Sequence, residues 1–164
     1  MNFEQVYDNY FARVYAYVRA RVCDEPQSDD ICCEIWQTVF EKQDSFDKQK
    51  GNLEQWLFTI ARNKVNSYFR LYHIRNFFSF TGKEETFPLA EEKPLDKLGQ
   101  EEDIKQLYTA LAVLNAKERD LISLKFFSSL NNREIAAATS LSESNVGTLL
   151  YRAMQKLRTV LEDL

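Results

Sequence analysis

Apolar residues recur at three- and four-residue steps along most of this chain, and no segment alternates apolar with polar in the way a half-buried strand requires. That period dictates helix. Phe3, Val6, Tyr7, Tyr10, Val14, Tyr17 and Val18 form one such stripe, and Val146, Leu149, Leu150, Ala153, Leu157 and Leu161 form another. Only four glycines and three prolines interrupt the 164 residues, so little in the chain breaks helices. Two of those prolines, Pro88 and Pro94, fall with Gly82 and Gly99 in a stretch without sustained period, Asn76–Asp103. That stretch reads as a tether. The expected fold class is therefore all-α, with two small helical domains joined by a flexible acidic linker and a helix-turn-helix in the C-terminal one. Its expected boundaries are residues 1–80, 81–103 and 104–164.

The net charge of −4 is unevenly spread. Residues 1–75 hold 10 Lys/Arg against 11 Asp/Glu, residues 76–103 hold 3 against 8, and residues 104–164 hold 8 against 6. The increments are −1, −5 and +2, which places the acidity in the tether and leaves both flanking parts compatible with nucleic acid, although neither has the charge of a strong autonomous binder. No uncharged apolar stretch approaches the ~18 residues of a membrane span, and Arg13, Arg19 and Arg21 break up Met1–Cys23. No membrane insertion and no leader are expected. Three cysteines, two of them adjacent, argue for a reducing compartment, hence a cytoplasmic location. Cys23, Cys32, Cys33 and the sole histidine, His73, lack a usual zinc spacing, so no metal and no cofactor are expected. The chain has no Gly-rich phosphate loop and no Ser/His/Asp combination beyond that one histidine, which argues against an enzyme.

Within the first domain, helices are expected over about 2–22, from a cap at Ser28 onward after a turn at Asp24–Gln27, and from about Asn52 to Arg75. A short turn is expected around Asn76–Phe80. The last of the three helices buries Leu53, Trp56, Leu57, Ile60, Ala61, Tyr68 and Leu71 on one side. On the other side Thr59, Arg62, Asn63, Asn66 and Arg70 align at three- and four-residue intervals. A solvated face is the plain reading of that stripe, and a nucleic-acid contact is the sharper one. In the second domain, Ile104, Leu107, Tyr108, Leu111 and Leu114 mark one helix and Ala116–Phe127 the next. Asn131 with Glu134 three residues on is a capping box, and Ser140–Leu141 followed by Ser142 is a tight turn into a new cap. This is helix-turn-helix spacing. The final helix presents Ser144, Asn145 and Thr148, which suit base edges, and Arg152 and Lys156, which suit phosphates.

Taken together, the two halves resemble the extracytoplasmic-function group of the sigma-70 family of bacterial transcription initiation factors. Ser28-Asp29-Asp30-Ile31 with Glu34, Trp36 and Phe40 resembles the family helix that docks on the clamp of core RNA polymerase. Residues 53–63, containing Trp56-Leu57-Phe58-Thr59-Ile60-Ala61-Arg62-Asn63, are similar to the helix that faces the promoter −10 element. Leu114–Arg119, Glu134-Ile135-Ala136 and residues 151–158 are similar to the −35-binding domain. The resemblance implies core RNA polymerase and promoter DNA as partners. It assigns −10 contacts to Thr59, Arg62, Asn63, Asn66 and Arg70, and polymerase docking to Asp29, Asp30, Glu34, Gln37 and Glu41. The −35 contacts fall to Ser144, Asn145, Thr148, Arg152 and Lys156. It further implies an anti-sigma factor as a partner, a 43–51 loop that helps to hold an extruded base, and a linker that runs through a basic channel of the polymerase. The chain departs from the family pattern at Cys33, Ser67 and Leu149. A stand-alone helix-turn-helix regulator with an N-terminal sensing or dimerising module is the alternative, and it would bind its promoter without polymerase.

Overall fold

A computed structural model describes residues 1–78 and 100–163, so the expected linker lies almost wholly outside the described residues. Seven α-helices make up the described chain: α1 (Phe3–Val22), α2 (Glu25–Lys42), α3 (Leu53–Phe78), α4 (Gln100–Ala112), α5 (Ala116–Phe127), α6 (Asn132–Thr139) and α7 (Glu143–Glu162). A single 3-10 turn, Gln43–Ser45, follows α2.

Local chemistry sets the ends. Asn2 caps α1 by accepting from the Gln5 amide, and Asn52 does the same for Gln55 at 2.6 Å where α3 begins. The start of α2 corrects the sequence reading: Asp24, not Ser28, is the cap, accepting from the Gln27 amide at 2.9 Å. Pro26 lies inside the first turn of α2, where a missing N–H forfeits no intrahelical bond, so the expected turn is helix instead. Ser28 is buried, its hydroxyl turned back onto the Asp24 carbonyl. The turn expected at 76–80 is likewise α3 continuing to Phe78, with residues 79 and 80 outside the described part.

In the N-terminal half, Val14, Tyr17 and Val18 of α1 pack with Ile31, Ile35, Trp36 and Val39 of α2 and with Leu57, Phe58, Ala61 and Val65 of α3. The C-terminal half buries Ala110, Leu111 and Leu114 around α4, Leu121, Ile122 and Leu124 of α5, Ile135 of α6, and Val146, Leu150, Ala153 and Leu157 of α7. Not every expected core residue is inside. Leu71, Ile104, Leu107 and Leu161 are exposed, as is Tyr7, because each belongs to a helix end or to the outer edge of its apolar stripe. Arg119 is buried where the sequence places an ordinary helix-surface residue. Its guanidinium donates to the carbonyls of Leu111, Ala112 and Leu114, closing the end of α4 onto α5.

The two halves are not held apart. α1 packs along α5, and α3 meets α6. Arg13 of α1 donates to the Phe127 carbonyl at 2.9 Å and to the Ser129 hydroxyl at 2.8 Å, Asn52 donates to Glu134 at 3.0 Å, and Arg19 stacks over the Tyr108 ring at 4.8 Å.

Candidate nucleic-acid interface

The helix-turn-helix is built from two capping devices. Asn131 accepts from the Glu134 amide while Glu134 accepts from the Asn131 amide, both at 2.9 Å, which fixes the start of α6. Ser140, in the left-handed region at φ 58°, ends α6, and Ser142 caps α7 by accepting from the Asn145 amide. α7 is thereby aimed with Ser144, Asn145, Thr148, Tyr151, Arg152, Gln155 and Lys156 on its exposed side. Ser144, Asn145 and Thr148 occupy its first two turns, the part of such a helix that reaches base edges. Thr148 also donates to the Ser144 carbonyl. Arg152 follows one turn later and is exposed. Lys156 has a second role that its sequence position did not reveal. Its ammonium lies 2.7 and 2.9 Å from the two carboxylate oxygens of Glu118, which is only 6% exposed.

The polar stripe of α3 is where structure and expectation part. Thr59, Asn63 and Arg70 are exposed, but Arg62 and Asn66 are only half-exposed and both are engaged. Arg62 donates through Nε to Asp120 Oδ2 at 2.8 Å and through Nη1 to the Ala138 carbonyl at 3.0 Å, so the C-terminal half covers it. Asn66 accepts from Arg21 Nη2 at 3.0 Å. Asp120 in turn accepts from Arg21 Nη1 and, at 3.2 Å, from the Tyr17 hydroxyl through its other oxygen. Burial raises the Tyr17 phenol above its usual pKa, which keeps the hydroxyl as a donor. Tyr17, Arg21 and Asp120 were not among the candidate residues. The signal that could have found Arg21 is its place in the buried stripe of α1, four residues after Tyr17 and seven after Val14, where a charge needs a partner.

The acidic face of α2 is formed as expected, with Asp29, Asp30, Glu34, Gln37 and Glu41 all exposed. Asp29 accepts from the Tyr15 hydroxyl at 2.8 Å, Glu34 lies 3.5 Å from Lys64, and Gln37 donates to Glu41 at 3.0 Å. An aromatic ladder, absent from the sequence reading, runs beside it. Phe3 meets Phe40 edge-on at 5.2 Å, Tyr7 meets Trp36 at 4.8 Å and Phe11 stacks on Tyr15 at 5.9 Å. After α2, Phe46 in the 43–51 loop packs on Trp56 of α3 at 5.4 Å, which ties that loop to the base of the polar stripe. The cysteines divide by burial: Cys32 is inside and its thiol is pushed up to about 11 by burial, Cys23 is partly buried, and Cys33 is exposed. No helix of the described residues is long and apolar enough to cross a membrane.

Comparison with known proteins bears on both halves. Residues 6–72 match the family model described as Sigma-70 region 2, and residues 104–157 match that described as Sigma-70, region 4. The chain is 29% identical over 161 residues to the ECF RNA polymerase sigma factor BldN of Streptomyces coelicolor, an alignment covering 98% of this chain and 61% of that protein. It is also 29% identical over 163 residues to the ECF RNA polymerase sigma factor SigX of Bacillus subtilis, covering 98% and 84% respectively. Among solved structures, the sigma factor RpoE in complex with the anti-sigma factor NepR from Bartonella quintana has the same fold, with a TM-score of 0.76 at 23% identity over 98% of this chain and 97% of that one. CnrH in complex with the cytosolic domain of CnrY has it too, at a TM-score of 0.68, 20% identity and 98% and 88% coverage.

Proposed function

Because the chain belongs to the extracytoplasmic-function group of the sigma-70 family, whose members are transcription initiation factors, we propose that it binds core RNA polymerase and directs it to promoters by reading −10 and −35 elements, with no catalysis of its own. The observation that carries this reading is the presence of both family regions in one chain and in family order, each bearing an exposed polar helix face. Residues 1–80 are the polymerase-docking and −10 domain, 81–103 the linker and 104–164 the −35 domain. The protein works in the cytoplasm, where polymerase is.

Docking falls to Asp29, Asp30, Glu34, Gln37 and Glu41, whose charges speed association more than they add affinity. Phe40 and its aromatic neighbours supply the apolar area that such charges lack. In the promoter complex Thr59, Arg62, Asn63, Asn66 and Arg70 face the −10 element, and the 43–51 loop receives an extruded base whose unstacking costs a few kcal/mol. For the −35 element Ser144, Asn145 and Thr148 meet base edges, while Arg152 and the exposed part of Lys156 meet the backbone. A C-terminal part with a charge of only +2 neutralises few phosphates, so its affinity depends on being tethered to a domain already anchored on polymerase. The linker's −5 keeps it off the DNA and suits a basic channel of the polymerase. An anti-sigma factor is the expected inhibitory partner. It would act on the closed arrangement in which the C-terminal half covers Arg62.

The test is run-off transcription from a defined promoter with purified chain and core polymerase. Polymerase-dependent, promoter-specific initiation is expected. Nanomolar sequence-specific binding by the chain alone, with no initiation on adding polymerase, would establish the stand-alone regulator instead.

A further inference from the structure

Asp120 sits at the centre of the contact between the halves with an unequal complement of charge around it. Its side chain is 8% exposed, and its two oxygens take Arg21, Arg62 and the Tyr17 hydroxyl. One carboxylate thus stands against two guanidinium groups from α1 and α3, and a simple fastening would need only one. Arg62 completes its coordination with the Ala138 carbonyl at the last turn of α6. Among the described residues, the acceptors that the C-terminal half presents to this cluster are the two oxygens of Asp120 and the Ala138 carbonyl. With Asp120 withdrawn, the N-terminal half would keep two cations, a phenol donor and Asn66 beside one another, a set that matches a phosphodiester better than it matches a carboxylate. The cluster also lies in line with Arg70, two turns along the same face of α3 from Arg62.

Resting on the reading of this chain as a sigma factor, we propose that Tyr17, Arg21 and Arg62 form a phosphate-binding site for the nucleic-acid backbone, which Asp120 occupies as an internal mimic while the two halves are closed. Arg21 and Tyr17, on α1, are then backbone contacts in addition to the stripe on α3. Closure and DNA binding exclude each other because they use the same guanidinium groups. The free chain is held from promiscuous DNA binding by its own C-terminal half, and Arg13, through Phe127 and Ser129, helps to hold that half in place.

The experiment uses the full chain without polymerase and a short, fluorescein-labelled single-stranded oligonucleotide of mixed sequence. Asp120→Asn should bind it severalfold more tightly than the original chain, with a salt dependence steeper by about 0.7 for each additional phosphate contacted. Its radius of gyration in X-ray scattering should rise, and adding Arg21→Gln to the same chain should remove the gain. An Asp120→Asn chain that opens without gaining affinity, or a gain that survives Arg21→Gln, would overturn the phosphate site. Should Asp120→Asn fail to fold, Arg13→Ala leaves the cluster intact and cuts two bonds between the halves. It should give a smaller gain of the same sign, and an unchanged affinity in that folded variant would also overturn the proposal. Failure of the original chain to initiate with core polymerase would sink the sigma-factor reading whatever Asp120→Asn does, whereas an unchanged oligonucleotide affinity in a chain that does initiate would sink only the mimic.

Discussion

Lys156 shows how one side chain can be claimed by two surfaces. It lies on the exposed face of α7, yet its ammonium neutralises Glu118, whose carboxylate also accepts from the Asn115 amide at the start of α5. Lys156→Ala would leave a buried carboxylate with a backbone donor alone, at a cost of about 1–3 kcal/mol. Its melting temperature should fall along with its DNA affinity, and calorimetry of the free chain would detect the first effect with no DNA present. The three cysteines make a cleaner case. A thiol with a pKa of about 11 holds only on the order of a thousandth of its molecules as thiolate near pH 8. Native-state alkylation followed by peptide mass spectrometry should label the exposed Cys33 first and leave Cys32 until the fold opens. Equal rates for the adjacent pair would mean that α2 does not shelter Cys32.

At the level of the element, α7 carries both the residues proposed for the −35 element and a weakness in its second turn. Gly147 costs helix stability because it adds backbone entropy to the unfolded chain. A methyl group there would meet Asn132 Nδ2 at 3.9 Å, an ordinary contact. Gly147→Ala should therefore stabilise the chain by about 0.5–1 kcal/mol, seen as a rise in thermal midpoint. No change in midpoint would mean that the gap beside Asn132 is not free to accept the methyl group. Asn145, two residues earlier in the same helix, donates its backbone amide to the Ser142 cap and keeps its side chain exposed. Asn145→Ala should leave stability almost untouched and relax preference at one base pair of the −35 element by about 1–3 kcal/mol, measured by competition among single-base promoter variants. An equal loss on all variants would make Asn145 a backbone contact.

For the whole molecule, the decisive feature is that Arg62, proposed for the −10 face, is engaged in the contact between halves. The double substitution of Arg62→Ala with Arg70→Ala should abolish open-complex formation, retain binding to core polymerase and enlarge the free chain, because Asp120 loses one of its two cations. Permanganate footprinting, polymerase pull-down and scattering read the three outcomes separately. Normal promoter melting by that variant would remove the α3 stripe from the mechanism.

Helix type, order and caps were legible in the sequence because they depend on local quantities: apolar period, the Asn131–Glu134 capping box, the Ser142 cap and the scarcity of glycine. The exposed face of α7 was legible for the same reason, since a helix with one apolar stripe must turn its other side outward. The start of α2 was misread because Pro26 is both a turn former and a first-turn helix residue, and only the Asp24 side chain decides between them. Which charged residues become buried was decided by tertiary structure alone. Arg119 and Asp120 sit in their local sequence like any surface residues, and although Arg21 falls in the apolar stripe of α1, the partner that lets it stay there is 99 residues away; Arg119 is held by carbonyls at the end of another helix. The docking of α1 against α5 has no local signature at all, because its stability comes from pairing groups whose separation along the chain is set by the fold and not by any period.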